Sequence, residues 1–375
     1  MEFGVFPTVY LPQHLVDQDP EGAEHRRIMD EVEWGRAADR SGWKYLWATE
    51  HHFLREYSHM SANESFLAYM AGVTSNIHLG TGIFNITPPV NHPARVAERV
   101  AMIDHLSEGR FELGVGRGSS TTEQRGFGIE DPEETRLMLD EVVGQLKYMW
   151  RDGEYSYDGT YFSMPPREIL PKPYTKPHPP MWIAAGNPDT FRKAARMGLG
   201  VLCFSTSSPE PLKPLIDIYK SEIANAEPVG DWVNDSILCL TQALCLEDGG
   251  RARQLATDMA WNYQVSLVFK YLDTFPRPPG IPEWPAVIPE PTVEYLEEGV
   301  AARQIMVGSP EECAAVCEEY EKAGADVLAV AQTCTTLPID IIVESTELFG
   351  EQVIPAFDTD PVHRTTRLRE AQLVS

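Results

Sequence analysis

Between Ile77 and Ser120 the chain reads as strand, loop, helix, strand and loop within one short stretch. Ile77-His-Leu-Gly-Thr-Gly-Ile-Phe84 has strand character, and Pro93 stands where a first helical turn tolerates a missing N–H. Val96, Val100, Ile103 and Leu106 recur at helical spacing, and Gly109 is placed to stop that helix. Phe111 to Val115 is a second apolar strand, and it runs into Gly114-Val-Gly-Arg-Gly118. The unit is therefore βαβ. Its glycines permit close backbone approach to a ligand, and Arg117 suits a phosphate by charge and fork geometry. The dinucleotide fingerprint does not fit. The spacing is G-x-G-x-G, and the polar run Ser119-Ser-Thr-Thr-Glu-Gln124 follows instead of a helix. A tight strand-end turn explains the loop equally well.

The same alternation covers the rest of the chain. Strands are predicted at 2–6, 45–48, 111–115, 181–185, 201–204, 237–246 and 327–331, besides the one entering at Ile77. Helices are predicted at 26–41, 61–74, 131–150, 186–197, 212–224, 251–271, 309–323 and 339–349. Asp131-Pro-Glu-Glu134 and Ser309-Pro-Glu-Glu312 both carry capping-box spacing. Eight strands, each followed by a helix, predict an α/β fold of the (β/α)8 TIM-barrel kind, one domain over 1–357. Insertions at the strand C-terminal face are expected near 153–180 and 275–305. Residues 358–375 are expected to be a polar, disordered C-terminal tail.

With 375 residues and 43% hydrophobic content, a sizeable core is available. A formal charge of −25 argues against nucleic acid or an anionic membrane as the main partner. No apolar stretch reaches membrane-spanning length, and no signal peptide is visible. Cys203, Cys239, Cys245, Cys313, Cys317 and Cys334 form no C-x-x-C pair. The expectation is a reduced, cytoplasmic protein.

In a barrel of this kind, chemistry gathers at the C-terminal ends of the strands. Glu50-His-His follows the second strand, Gly82–Asn85 the third, Arg117 the fourth and Gly186-Asn187 the fifth. Adjacent side chains on extended backbone alternate, so one histidine at most faces the mouth squarely. Neither H-x-H nor H-E-x-x-H occurs, and no metal site is expected. Gly186-Asn187-Pro188 opens a helix whose free N–H groups, with the Thr190 hydroxyl, suit an anion. A plain N-cap is the alternative. With Arg117 one strand over, a phosphate fits between strands four and five.

Glu50-His-His-Phe53, Leu79-Gly-Thr-Gly82, His92-Pro-Ala-Arg95 and Leu106 to Phe111 through Gly116-Arg-Gly118 together resemble the bacterial luciferase-like monooxygenase family. Ala194-Ala-Arg-Met-Gly198 and Val307-Gly-Ser-Pro-Glu-Glu-Cys313 extend the resemblance from Phe3 to about Phe357. It implies a barrel that binds reduced FMN (FMNH2), reacts it with O2 to a C4a-hydroperoxide, and oxidises a small organic substrate. By position, His51 is similar to the catalytic histidine, and Glu50 lies beside the flavin. Gly82-Ile83 matches a bend that often holds a non-proline cis peptide against the ring. Arg117, Asn187 and Thr190 match phosphate contacts. Gly186 offers only backbone there, and Arg136 matches once one inserted residue is allowed.

A reactive oxygenated flavin needs a dry, apolar site. Phe6, Tyr10, Phe53, Phe84 and Trp182 are candidate lining. Seven prolines between 276 and 291 rule out a long helix or central strand there. That segment, with Trp284, is read as a lid that contacts substrate. The resemblance also implies a separate NAD(P)H:flavin reductase and a homodimer paired through helices 61–74 and 93–107. Two rivals stay open: an F420-dependent hydride-transfer enzyme of the same superfamily, and a flavin-binding protein without turnover.

Overall fold

Eight parallel strands close on themselves in the computed structural model, which describes residues 1–204, 208–274, 277–332 and 336–374. They are β1 (Glu2–Val5), β2 (Tyr45–Ala48), β3 (His78–Thr81), β4 (Phe111–Gly116), β5 (Met181–Ala184), β6 (Gly200–Cys203), β7 (Ile237–Cys245) and β8 (Val327–Gln332). Each pairs with its sequence neighbour, and β8 returns to β1 with Gly4 opposite Ala329. This is the predicted TIM barrel. Phe84–Asn85 adds a short pairing to the end of β4, and Met306–Gly308 pairs with the outer end of β7. Cys334, Phe275 and Pro276 lie outside the described residues.

Strands covered on both faces read as continuous apolar runs, which is why the sequence exposes them clearly. Tyr45, Trp47, Trp182, Leu202, Leu238 and Val327 fill the barrel interior. The Tyr45 and Trp47 rings stack at 6.1 Å, and Trp182 meets Trp47 edge-on at 5.3 Å. Leu46, Leu79, Leu113 and Ile183 point outward into the layer shared with the helices. The glycines of β4 answer to this packing. A Cβ on Gly114 would overlap the Thr81 carbonyl oxygen, and one on Gly116 would lie 2.6 Å from Ile83 Cγ1. At both positions the end of β3 and the bend after it leave no room for a side chain.

Several local expectations are corrected. The single helix at 251–271 is two, Gly249–Asp258 and Trp261–Tyr271, broken at Ala260 with φ 60°. The polar run after Arg117 folds into a short helix, Thr121–Gly126. Asp131 is not an N-cap. Its carboxylate accepts the Glu133 N–H in a turn, and the helix spans Glu134–Met149. The Ser309 capping box is formed as read. Within 153–180 a hairpin pairs Tyr155–Asp158 with Ser163–Arg167. Within 275–305 a helix, Val293–Ala301, starts on a Thr292 cap.

The C-terminal segment differs most. It is no disordered tail: it ends in a helix, Arg364–Leu373, that seals the N-terminal end of the barrel. The Thr365 hydroxyl, fully buried, donates to Glu112 at 2.6 Å, and the Arg364 N–H donates to Glu2 at 2.8 Å. Glu112 also accepts from the Trp182 indole at 2.7 Å and meets His78 Nδ1 at 2.8 Å. His78 stacks on His363 at 3.6 Å. Burial pushes Glu112 up to about 8 and both histidines down, His78 to about 3. All three are therefore neutral near pH 7.

Glu112 thus holds its proton in the fold where the unfolded chain has lost it. Its stabilising contribution is complete below the ordinary carboxylate range and is lost as pH rises through about 8. Glu112→Gln, neutral at every pH, lacks this dependence. Thermal denaturation between pH 5 and 9 should show wild type losing stability relative to Glu112→Gln as pH rises. Parallel curves would mean that Glu112 is ionised in the fold.

Candidate active site

Loops from the ends of β2, β3 and β4 meet at the mouth. At the end of β2, Glu50 is buried and bridges outward. It accepts from the Asn85 N–H at 2.9 Å and Asn91 Nδ2 at 3.3 Å, and pairs with His52 Nε2 at 3.0 Å. Desolvation pushes its carboxyl above the ordinary range against the pull of His52. Burial opposes charge on His52, yet the Glu50 hydrogen bond and nearby Glu50, Glu123 and Glu64 raise its pKa. The two histidines diverge as strand alternation requires. His52 leans on Phe127 at 4.8 Å, whereas His51 meets the Tyr57 ring at 5.1 Å. His51 Nδ1 lies 3.3 Å from Glu123 Oε1, and the same oxygen accepts the His52 backbone N–H at 2.7 Å.

At the end of β3 the Gly82–Ile83 peptide is cis, as expected of this bend. Asn63 braces it through Nδ2 bonds to the Ala48 and Ile83 carbonyls, at 3.2 and 3.1 Å. The Phe6 ring packs directly against Gly82 and lies 5.2 Å from Phe204. Beyond β4, Arg117 is half-buried. Its Nη1 donates to the Thr135 hydroxyl at 2.8 Å and the Pro132 carbonyl at 3.3 Å. Among the described residues it has no carboxylate partner. Desolvation and the charge of Arg136 lower its pKa, and the nearby Glu133 carboxylate partly offsets them. Arg136 itself is exposed and pairs with Glu133 at 3.3 Å.

The end of β5 is different. Asn187 caps the helix Pro188–Arg196 by accepting from the Asp189 and Thr190 N–H groups. The Thr190 hydroxyl accepts from the Gly186 and Asn187 N–H groups, each at 3.1 Å. Pro188 has no N–H. The free donors expected at this terminus are consumed by its own capping box.

The candidate lining divides. Phe6 sits at the top of the barrel interior, and Tyr10 packs with Leu54, Tyr57 and Leu267 beside His51. Phe53, with φ 65°, is 60% exposed on the rim against Gly126 and Phe127. Phe84 does not line the mouth; it belongs to the outer core with Phe66, Leu79 and Val115. Trp182 is enclosed in mid-barrel, its indole spent on Glu112. Trp284 lies over Lys270, with Nζ 3.9 Å from the ring, and beside Tyr263.

Residues that the sequence reading did not single out complete the site. Thr49 Oγ1, Ser120 Oγ, Glu123 Oε2, both polar ends of Gln124 and Gln264 Oε1 are buried without a hydrogen-bond partner. Such atoms are costly unless something polar meets them. They suit a ligand with many hydrogen-bonding atoms. The only sequence clue was acid and amide within the run 119–124. The short helix Thr121–Gly126 also ties the mouth to the proline-rich segment. Asp273 accepts the Thr121 N–H at 2.8 Å, and the Thr274 hydroxyl donates to the Ser119 carbonyl at 2.8 Å.

Residues 1–327 match the family model described as luciferase-like monooxygenase. A relative in Acinetobacter baylyi, the oxygenase component of a flavin-dependent trigonelline monooxygenase, is 32% identical over 180 residues, 47% of this chain and 48% of the relative. The oxygenating constituent of 3,6-diketocamphane monooxygenase from Pseudomonas putida, solved with FMN, superposes with TM-score 0.76 at 18% identity, covering 95% of this chain and 98% of that one. An F420-dependent secondary alcohol dehydrogenase has the same fold, with TM-score 0.67 at 18% identity over 96% of this chain and 99% of the other.

The Asn187 side chain caps the helix Pro188–Arg196 through Oδ1. Asn187→Ala should cost about 1 kcal/mol in urea denaturation and change FMN affinity by less than about threefold. A large loss of FMN affinity at unchanged stability would return Asn187 to the phosphate site.

Proposed function

The chain belongs to the luciferase-like monooxygenase family, and we propose that it is the oxygenase of a two-component system. In this reading it binds reduced FMN from a separate NAD(P)H:flavin reductase and uses O2 to oxidise a small organic molecule. The observation that carries the reading is Arg117. A half-buried guanidinium without a carboxylate partner among the described residues, repelled by Arg136, calls for an anion. The FMN phosphate supplies one.

In this assignment Arg117 and Arg136 hold the phosphate, and the bend at Gly82–Ile83, backed by Phe6, receives the ring. Ser120 and Gln124 offer buried hydrogen-bonding atoms to the rest of the cofactor. The bound flavin supplies electron transfer to O2 and delivery of oxygen to substrate. The protein controls protons and water. His51 handles the proton at Nε2, its Nδ1 being turned toward Glu123. Tyr10, Tyr57 and Leu267 give the substrate an apolar, aromatic surface beside it.

The proline-rich segment serves as the cover. Its described part, 277–292, lies along the helix Trp261–Tyr271. Glu290 accepts the Asn262 and Tyr263 N–H groups, and the Ile288 N–H donates to Ser266 Oγ. Exposed Tyr69 and Val73 on Asn63–Val73, with Met102 and Leu106 on Pro93–Leu106, support pairing of two copies there. Cys239, Cys245, Cys313 and Cys317 are buried thiols outside any disulfide, and Cys203 is buried as well, which suits a reducing compartment. No described helix is long and apolar enough to cross a membrane.

Arg117→Ala should weaken FMN binding by about 10- to 100-fold and leave riboflavin binding nearly unchanged. Equal wild-type affinities for FMN and riboflavin would remove the phosphate from this site. His51→Ala should keep FMN affinity and slow product formation by roughly 10²- to 10⁴-fold. A loss of thermal stability with near-normal oxygenation would instead make His51 structural. Light scattering at micromolar concentration should give twice the chain mass, and Tyr69→Glu with Met102→Glu should give the monomer.

A further inference from the structure

We infer that Glu123 is the positioning residue of the proton-handling site, fixing His51 as the Nδ1–H tautomer so that Nε2 is the proton acceptor. The inference rests on the monooxygenase reading for its purpose, but on geometry alone for its content. Glu123 is buried and stands in the short helix Thr121–Gly126. Its Oε1 is keyed to the β2 loop by the His52 backbone N–H at 2.7 Å, which fixes the carboxylate independently of His51. His51 Nδ1 lies 3.3 Å from that same oxygen. A carboxylate oxygen accepts only, so Nδ1 must carry the hydrogen whenever the imidazole is neutral. The other ring nitrogen is then left with its lone pair free. Among the described residues, Nε2 has no hydrogen-bond partner.

The ring has little freedom to choose otherwise. The His51 backbone N–H donates to the Met60 carbonyl at 3.0 Å, and Tyr57 packs edge-on against the imidazole. Tyr57 is held protonated by burial, with Tyr10 and Glu123 adding to the effect, so it brings no charge to His51. The other titratable groups nearby, Glu50 and His52, are paired with each other. Glu123 therefore sets the tautomer, an arrangement in which a second group orients a histidine for proton transfer. Glu123 touches no reacting atom. It acts through His51.

The helix that carries Glu123 also carries Thr121, whose N–H and hydroxyl both bond to Asp273 at the root of the proline-rich segment. The position of Glu123, and hence of the imidazole, is braced from the cover side as well as from β2.

The test uses the flavin-free protein with 15N-labelled histidine, His51 being assigned by comparison with His51→Gln. At a pH where the imidazole is neutral, the two ring nitrogens should give the pattern of the Nδ1–H tautomer. Glu123→Ala should shift His51 toward the Nε2–H form that free imidazole side chains prefer, and Glu123→Asp should retain a larger share of Nδ1–H than Glu123→Ala. A wild-type His51 in the Nε2–H form overturns the inference, and that result does not depend on any variant folding. An unchanged tautomer in folded Glu123→Ala overturns it too. Because no flavin is present, failure of the cofactor assignment leaves this result untouched. FMN affinity, measured in parallel, reports on that assignment separately.

Discussion

The close approach of β4 to the end of β3 is the constraint on which the mouth depends. No side chain fits at Gly114 or Gly116, because the Thr81 carbonyl and the Ile83 side chain occupy that space. The Thr81 hydroxyl bonds both to the Gly114 N–H, at 2.9 Å, and to its carbonyl, at 2.8 Å, so the two strands are locked at this level. That lock brings the Gly82–Ile83 bend against the start of the Arg117 loop. An alanine at either glycine would force the strands apart and move Arg117 and the Gly82–Ile83 bend together.

From that junction one short element reaches three parts of the site. Arg117 precedes the helix, Glu123 within it meets the two histidine positions of the β2 loop, and Thr121 holds the base of the proline-rich segment. The physical economy is plain. A charged anchor, a carboxylate and a hinge contact share one backbone, so a displacement at one is felt by the others. The opposite end of the barrel is treated differently: there the C-terminal helix buries a neutral carboxyl and two neutral histidines beneath Tyr45 and Trp182. Ionisable groups close the floor and gather again, in a different arrangement, at the mouth.

The barrel was legible because its strands are buried on both faces and its helices carry one apolar stripe. Periodicity records both directly. The Gly82–Ile83 bend was legible through local residue order. What escaped depends on contacts between distant segments. Ala260 adopts a left-handed conformation that alanine composition does not announce. The C-terminal helix is held by Thr365 and Arg364 on Glu112 and Glu2, polar contacts that a polar stretch of sequence does not distinguish from a solvated tail. Glu123 lay in a run that read as loop, and only the fold shows that it faces His51. Asn187 and Thr190 cap one another in the helix that opens after β5.

The central claim is that this mouth takes up reduced FMN and governs its encounter with oxygen. The most direct test is rapid mixing of the protein, loaded with photoreduced FMN under argon, with oxygenated buffer, followed by flavin absorbance. The account predicts that bound flavin returns to its oxidised spectrum at least tenfold more slowly than free reduced FMN, because the site excludes water and restrains protons. Reoxidation indistinguishable from that of free flavin, or efficient hydride transfer from reduced F420 with no effect on FMN, would contradict it.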